Sequence, residues 1–146
     1  MLDRLRHPSA DDAADEAPSA GGFEQLDGHK YCLLVSYRRD GTPIATPLWF
    51  GTAGGKVYSR TAADDWKVKR IRNNPRVLIG PCTFRGKPRG PLAEGRARVL
   101  PPEEEPVAEA AIQSNYGFGR RAYKAGIDRA SAGSVYLEIA PGGKGA

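Results

Sequence analysis

Sulfur and imidazole are scarce in this chain. It has two cysteines, two histidines and one methionine in 146 residues. Cys32 and Cys82 stand alone in strand-like runs, and no export signal precedes them. They read as buried, reduced thiols in a cytoplasmic protein. His7 and His29 have no partners at ligand spacing, so a metal centre is excluded. Hydrolytic catalysis needs a nucleophile held beside a base, and neither histidine has a Ser or Cys motif around it. No Gly-rich loop of the phosphate-cradling or dinucleotide type is present. No run approaches the roughly 18 apolar residues of a membrane-spanning helix. Asp64 and Asp65 are adjacent and read as helix caps. Glu103–Glu105 read as a solvated helix start. No self-sufficient catalytic machine is visible, so in an enzyme a cofactor would bring the chemistry.

Charge is distributed unevenly. Residues 1–22 hold five acids (Asp3, Asp11, Asp12, Asp15 and Glu16) against Arg4 and Arg6. They lack apolar periodicity and read as a disordered acidic tail. Residues 23–146 then carry twenty basic and twelve acidic side chains, a net of +8. They are long enough for one domain with one core. Eighteen glycines and twelve prolines imply many turns and a β-rich fold.

The strand signals follow one another closely. "KYCLLVSY" (Lys30–Tyr37) alternates and runs into an Asp-Gly turn. "TPIATPLWF" (Thr42–Phe50) contains Pro43 and Pro47, which cannot donate to a ladder, so it belongs at an edge or a bulge. "KVYSRT" (Lys56–Thr61) completes an expected three-stranded meander. A short helix follows, capped by Asp64 or Asp65, with Val68 and Ile71 as its apolar side. Further strands are expected at Arg76–Phe84, broken near Gly80-Pro81, at Leu92–Leu100 and at Ser134–Pro141. Helices are expected from Pro101, bent at Pro106, and through "FGRRAYKAGID". The expectation is a mainly β (α+β) fold: a six-stranded antiparallel barrel, closed or nearly so, with short flanking helices. A barrel this small gains stability from pairing into a homodimer.

The basic run "WKVKRIRNNP" offers two readings. One is a solvated helix face. The other is an anion grip, with Lys67 in the first helical turn, where backbone N–H groups already favour anions. Arg60 and Arg70 would then converge on a phosphate beside Lys67, while Lys69 and Arg72 stay in water. Arg85, Lys87 and Arg89 form a second basic cluster, either an extension of that track or a solvated turn. Trp49 is either a platform for a planar ligand or, with Phe50, barrel core or dimer contact. The basic runs lack interleaved aromatics, which argues against nucleic acid as the partner.

Together, "DGTPIATPLWF", "VYSRTAADDWKVKRIRNNPRVLIGPCTFRGKPRG" and "EGRARVL" resemble the pyridoxamine 5'-phosphate oxidase-like split-barrel superfamily. Within it, the nearer likeness is to the oxidoreductases that use the deazaflavin coenzyme F420. The resemblance runs from Gly28 to Leu100, and more loosely to Pro141. It implies a split barrel with the cofactor at a homodimer interface. It implies a ring lined by Thr46, Pro47, Leu48 and Trp49 and by Ser59, Arg60 and Thr61, bordered by Pro81 and Cys82. Lys67 would hold the phosphate, helped by Arg60, Thr61 and Arg70, and Trp66 would also belong to the cofactor site. Hydride chemistry would belong to the cofactor, the substrate would be an unsaturated, quinone-like or tetrapyrrole-like small molecule, and Tyr31 or Tyr58 are candidate proton sources. Flavin mononucleotide (FMN) is the alternative cofactor, and a non-catalytic carrier of the cofactor is the alternative role.

Overall fold

The computed structural model describes residues 23–116 and 133–142. The expected acidic tail and the "FGRRAYKAGID" helix lie outside the described residues. Seven strands form one antiparallel sheet: β1 (Tyr31–Tyr37), β2 (Pro43–Trp49), β3 (Gly51–Ala53), β4 (Lys56–Ala62), β5 (Arg76–Cys82), β6 (Ala93–Val99) and β7 (Ser134–Pro141). The helix α1 (Trp66–Asn73) joins β4 to β5, and α2 (Glu105–Tyr116) lies between β6 and β7. The strand order is β2-β1-β5-β6-β7-β4-β3. The two edges, β2 and β3, are therefore consecutive in the chain, so the sheet must curl until they nearly meet. This is the expected split barrel.

Three local expectations change. The strand expected over residues 42–50 ends at Trp49, and a separate strand starts at Gly51, giving seven strands rather than six. The carbonyl of Phe50 leaves the ladder to accept a 2.8 Å hydrogen bond from Asn115 Nδ2 on α2. The three-stranded meander does not form. β4 pairs with β3 and β7, at the opposite end of the strand order from β2. β5 runs unbroken through Gly80-Pro81 and ends at Cys82, and a Cβ at Gly80 would meet the Pro91 carbonyl oxygen at 2.6 Å. Pro106 lies in the first turn of α2, where no intrahelical N–H bond is required.

The edge assignment of β2 holds, as Pro43 and Pro47 demand. The barrel is closed at this point by a side chain, since Ser59 Oγ on β4 donates to the Trp49 carbonyl at 2.7 Å. Period-two alternation sends Cys32 and Leu34 of β1 into the barrel with Leu48, Val77, Ile79 and Leu137. Leu33 and Val35 point outward, with Ala45, Leu78 and Cys82. The small residues Ala93, Gly95 and Ala97 of β6 also face inward. A Cβ at Gly95 would press to 2.7 Å from Ile139, so the narrow barrel requires them. The outer surface of β3, β4 and β7 is covered by α2, through Ala108, Ala111 and Ile112 against Tyr58 and Tyr136.

Candidate functional site

The helix α1 is capped by Asp65, whose Oδ1 accepts from the Lys67 amide at 2.9 Å. Val68 and Ile71 are buried on one side. The other side, together with the β1–β2 hairpin and the inner positions of β2, bounds a cleft of about 1160 Å³. Its walls are Tyr37, Arg38 and Arg39 from the hairpin, Ile44 and Thr46 from β2, and Asp65, Trp66, Lys67, Lys69, Arg70, Arg72 and Asn73 from α1 and its cap. Six of these residues are basic and one is acidic.

The depth of the cleft is marked by Lys67. Its side chain is 5% exposed, and the ammonium lies 2.8 Å from Asp65 Oδ2 and donates to Thr61 Oγ1 at 2.8 Å. Beside it, Arg70 Nε donates to Ser36 Oγ at 2.7 Å, which ties the guanidinium to β1. Burial alone would push the Asp65 carboxyl up. The charge of Lys67, its side-chain and backbone hydrogen bonds and the charge of Arg70 together outweigh burial and hold it below the ordinary carboxylate value. At the rim Trp66 is 69% exposed, with the Lys69 ammonium 4.4 Å from its ring centroid.

Four residues expected at the site line this cleft: Thr46, Trp66, Lys67 and Arg70. Thr61 joins them through its bond to Lys67. Ser59 serves barrel closure, and Leu48 is barrel core. Arg60 does not converge on Lys67. On a strand, alternate side chains take opposite faces, so Arg60 points away from Thr61. Its Nε donates to Ser134 Oγ at 2.8 Å, and its guanidinium lies over the Tyr136 ring. Trp49 packs edge-on against Tyr31, and Tyr31 against Phe84. Cys82 belongs to the outer apolar face with Leu33, and neither Pro47 nor Pro81 lines the cleft. Lys69 and Arg72 are exposed as expected, yet both line the cleft. Arg85, Lys87 and Arg89 sit in the β5–β6 turn, clear of it.

The sequence reading missed Tyr37, Arg38, Arg39, Ile44 and Asn73. "RRDG" was the available signal: an Arg-Arg pair at a hairpin tip, one strand from the edge. Neither candidate proton source reaches the cleft. The Tyr58 hydroxyl donates to Glu138 at 3.0 Å beneath α2, and its pKa is raised, first by burial and then by that bond. Burial also pushes the Cys82 thiol up to about 12 and the Cys32 thiol well above its usual value, so both are inert as nucleophiles. Among the described residues no group of His, Cys, Asp and Glu could hold a metal ion, and no helix is long and apolar enough to cross a membrane.

The sequence profile described as pyridoxamine 5'-phosphate oxidase matches residues 23–141. No curated protein sequence matches the chain significantly. Three solved structures illustrate the range of its fold relatives. HutZ, the haem storage protein from Vibrio cholerae, shares 14% identity with a TM-score of 0.61, covering 82% of this chain and 86% of its own. An FAD-binding protein from Mesorhizobium loti shares 20% identity at 0.57, covering 81% and 83%. A structure described as an F420 reductase shares 20% identity at 0.52, covering 85% and 96%.

Proposed function

Because this chain belongs to the pyridoxamine 5'-phosphate oxidase family, we propose that its cationic cleft holds the phosphate-bearing tail of a flavin-like redox cofactor, coenzyme F420. The protein is then an F420-dependent oxidoreductase acting on an unsaturated, quinone-like or tetrapyrrole-like small molecule. The observation that carries this reading is the buried Lys67 ammonium at the base of a cleft with six basic residues. A single phosphate would engage two or three of them. A phosphodiester followed by a tail of carboxylates would engage the rest, which favours F420 over FMN. A cleft of about 1160 Å³ has room for a tail of that size. The F420 reductase among the fold relatives supports the reading.

In this reading Lys67 and Arg70 bind the phosphate, Arg38, Arg39, Lys69 and Arg72 attract the anionic tail, and Trp66 shields the rim. The bound reduced cofactor supplies the hydride. The chain binds and orients. Thr46 lines the cleft, whereas Trp49, Pro81 and Cys82 do not. Within one protomer the residues expected around the ring are therefore divided. We propose that the protein is a homodimer in which a second copy supplies the missing wall, and sedimentation should give a dimer mass.

The deciding experiment is titration of the pure protein with F420 and with FMN, followed by fluorescence. Saturable F420 binding at least tenfold tighter than FMN is expected, and reduced F420 should then be oxidised by a panel of enones and quinones. Tight FMN binding with none of F420 would reassign the cofactor. F420 binding without turnover of any substrate would favour a carrier.

A further inference from the structure

The acid inside the cation cleft has a consequence for ligand choice that rests on the proposed cofactor reading. Among the described lining residues Asp65 is the one carboxylate. Its Oδ2 lies 2.8 Å from the Lys67 ammonium, and Thr61 Oγ1 lies 2.8 Å from the same nitrogen. Any phosphate oxygen that reaches Lys67 at hydrogen-bond distance must come within about twice that separation of the carboxylate. The carboxylate stays ionised at neutral pH, because Lys67 and Arg70 outweigh its burial. Each negative charge on the incoming group therefore meets one fixed negative charge at close range.

We propose that Asp65 selects ligands by phosphate charge, disfavouring a terminal phosphomonoester relative to a phosphodiester. A phosphomonoester carries nearly two charges at neutral pH and a phosphodiester carries one. The surrounding cations attract the dianion more strongly, and Asp65 offsets part of that preference. Asp65 repels the dianion by one more unit of charge, and at about 5 Å in a partly screened cleft that extra unit corresponds to tenfold or more in affinity. The same residue thus caps α1, anchors Lys67 and tilts the cleft from FMN-type ends toward an internal phosphodiester.

The test uses two probes with one ring and one difference in charge: FMN and its 5'-phosphate monomethyl ester. Asp65→Asn preserves a good helix cap while removing the charge. Asp64→Asn removes the neighbouring charge, which does not line the cleft. Equilibrium titration should show that Asp65→Asn shifts the FMN-to-ester affinity ratio about tenfold toward FMN. Asp64→Asn should leave the ratio within about twofold. An unmoved ratio in Asp65→Asn overturns the proposal. So does an equal shift in Asp64→Asn, or failure of both probes to bind either wild type or Asp65→Asn. Asp65→Ser, another capping residue, should reproduce the shift if the charge is responsible, and its failure to do so also overturns the proposal. F420 binding by the wild type is scored separately. If F420 binds and the ratio is unmoved, only the role of Asp65 falls. If F420 does not bind, the cofactor reading falls with it.

Discussion

Replacing Lys67 with methionine is expected to raise the F420 dissociation constant by about 10- to 100-fold, or roughly 1.5–3 kcal/mol, the worth of a charge-assisted hydrogen bond. Methionine keeps the apolar stem that fills the space beneath the ammonium. Its effect therefore reports the charge rather than a cavity. Lys67→Arg keeps the charge and should recover part of the affinity. A variant that binds F420 as tightly as wild type removes Lys67 from the site. The substitution also has a second readout. With Lys67 gone, Asp65 loses its partner at 2.8 Å, and burial is opposed only by the Arg70 charge and the backbone N–H bond of residue 67. The Asp65 side chain is 38% exposed, so water screens much of this loss. A stability decrease of about 1 kcal/mol is expected at neutral pH.

The sign with pH follows from the direction of the Asp65 shift. Its carboxyl is held below its ordinary value in the folded protein. The pair therefore stabilises the fold above the unfolded value of about 3.9. That stabilisation is lost as pH falls through the lower folded value. In Lys67→Met this acid limb should shrink, since the Arg70 charge and the backbone N–H bond to Asp65 remain, so the stabilities of wild type and variant should converge as pH falls through the folded value. Chemical unfolding at several pH values measures the convergence.

Lys67 could be read from the sequence because two local signals coincide on it. A capping aspartate fixes the helix start, and the Val68/Ile71 spacing fixes which side is buried. Together they place Lys67 and Arg70 on one flank. The same logic located the edge strand, since proline cannot donate to a ladder. Arg60 shows where a local signal was available and overlooked. It follows Ser59 and precedes Thr61 on a strand, so parity alone separates it from Thr61 and hence from Lys67. Other features needed the long-range fold. Arg38 and Arg39 join the cleft because the β1–β2 hairpin projects beside α1, a juxtaposition of segments some thirty residues apart. The transfer of β4 to the far side of the sheet is set by its pairing with β7, whose partner residues lie some 75 positions away. No short window holds that information. The division of Trp49 and Cys82 from Lys67 is of the same kind. It depends on which barrel face each residue takes once the sheet has curled.

Gly51→Ala is expected to destabilise the fold by about 3 kcal/mol, at the upper end for overpacking a close contact. Gly51 starts β3 immediately after the chain turns from one sheet edge to the other. A Cβ built there would lie 2.1 Å from the Ala111 carbonyl oxygen and 2.6 Å from the Ile112 Cα. These are backbone atoms of α2, so no side chain can rotate away. The whole helix would have to retreat. Its retreat would draw Asn115 from the Phe50 and His29 carbonyls that it now serves at 2.8 and 3.2 Å. Phe50 is the hinge between the two edges, and its ring is 2% exposed in the barrel core. Loosening it therefore weakens both the closure of the barrel and the docking of α2. Gly133→Ala is the matched control, because a Cβ there meets nothing within 4 Å. It should leave the unfolding midpoint within about 0.5 kcal/mol. Denaturant titration separates the two outcomes. Equal stabilities for Gly51→Ala and wild type would mean that α2 does not pack on β3 as described. The Lys67 cleft lies away from this contact, so F420 affinity in Gly51→Ala, measured well below its midpoint, should fall less than in Lys67→Met. This follows because α1, rather than α2, lines the cleft.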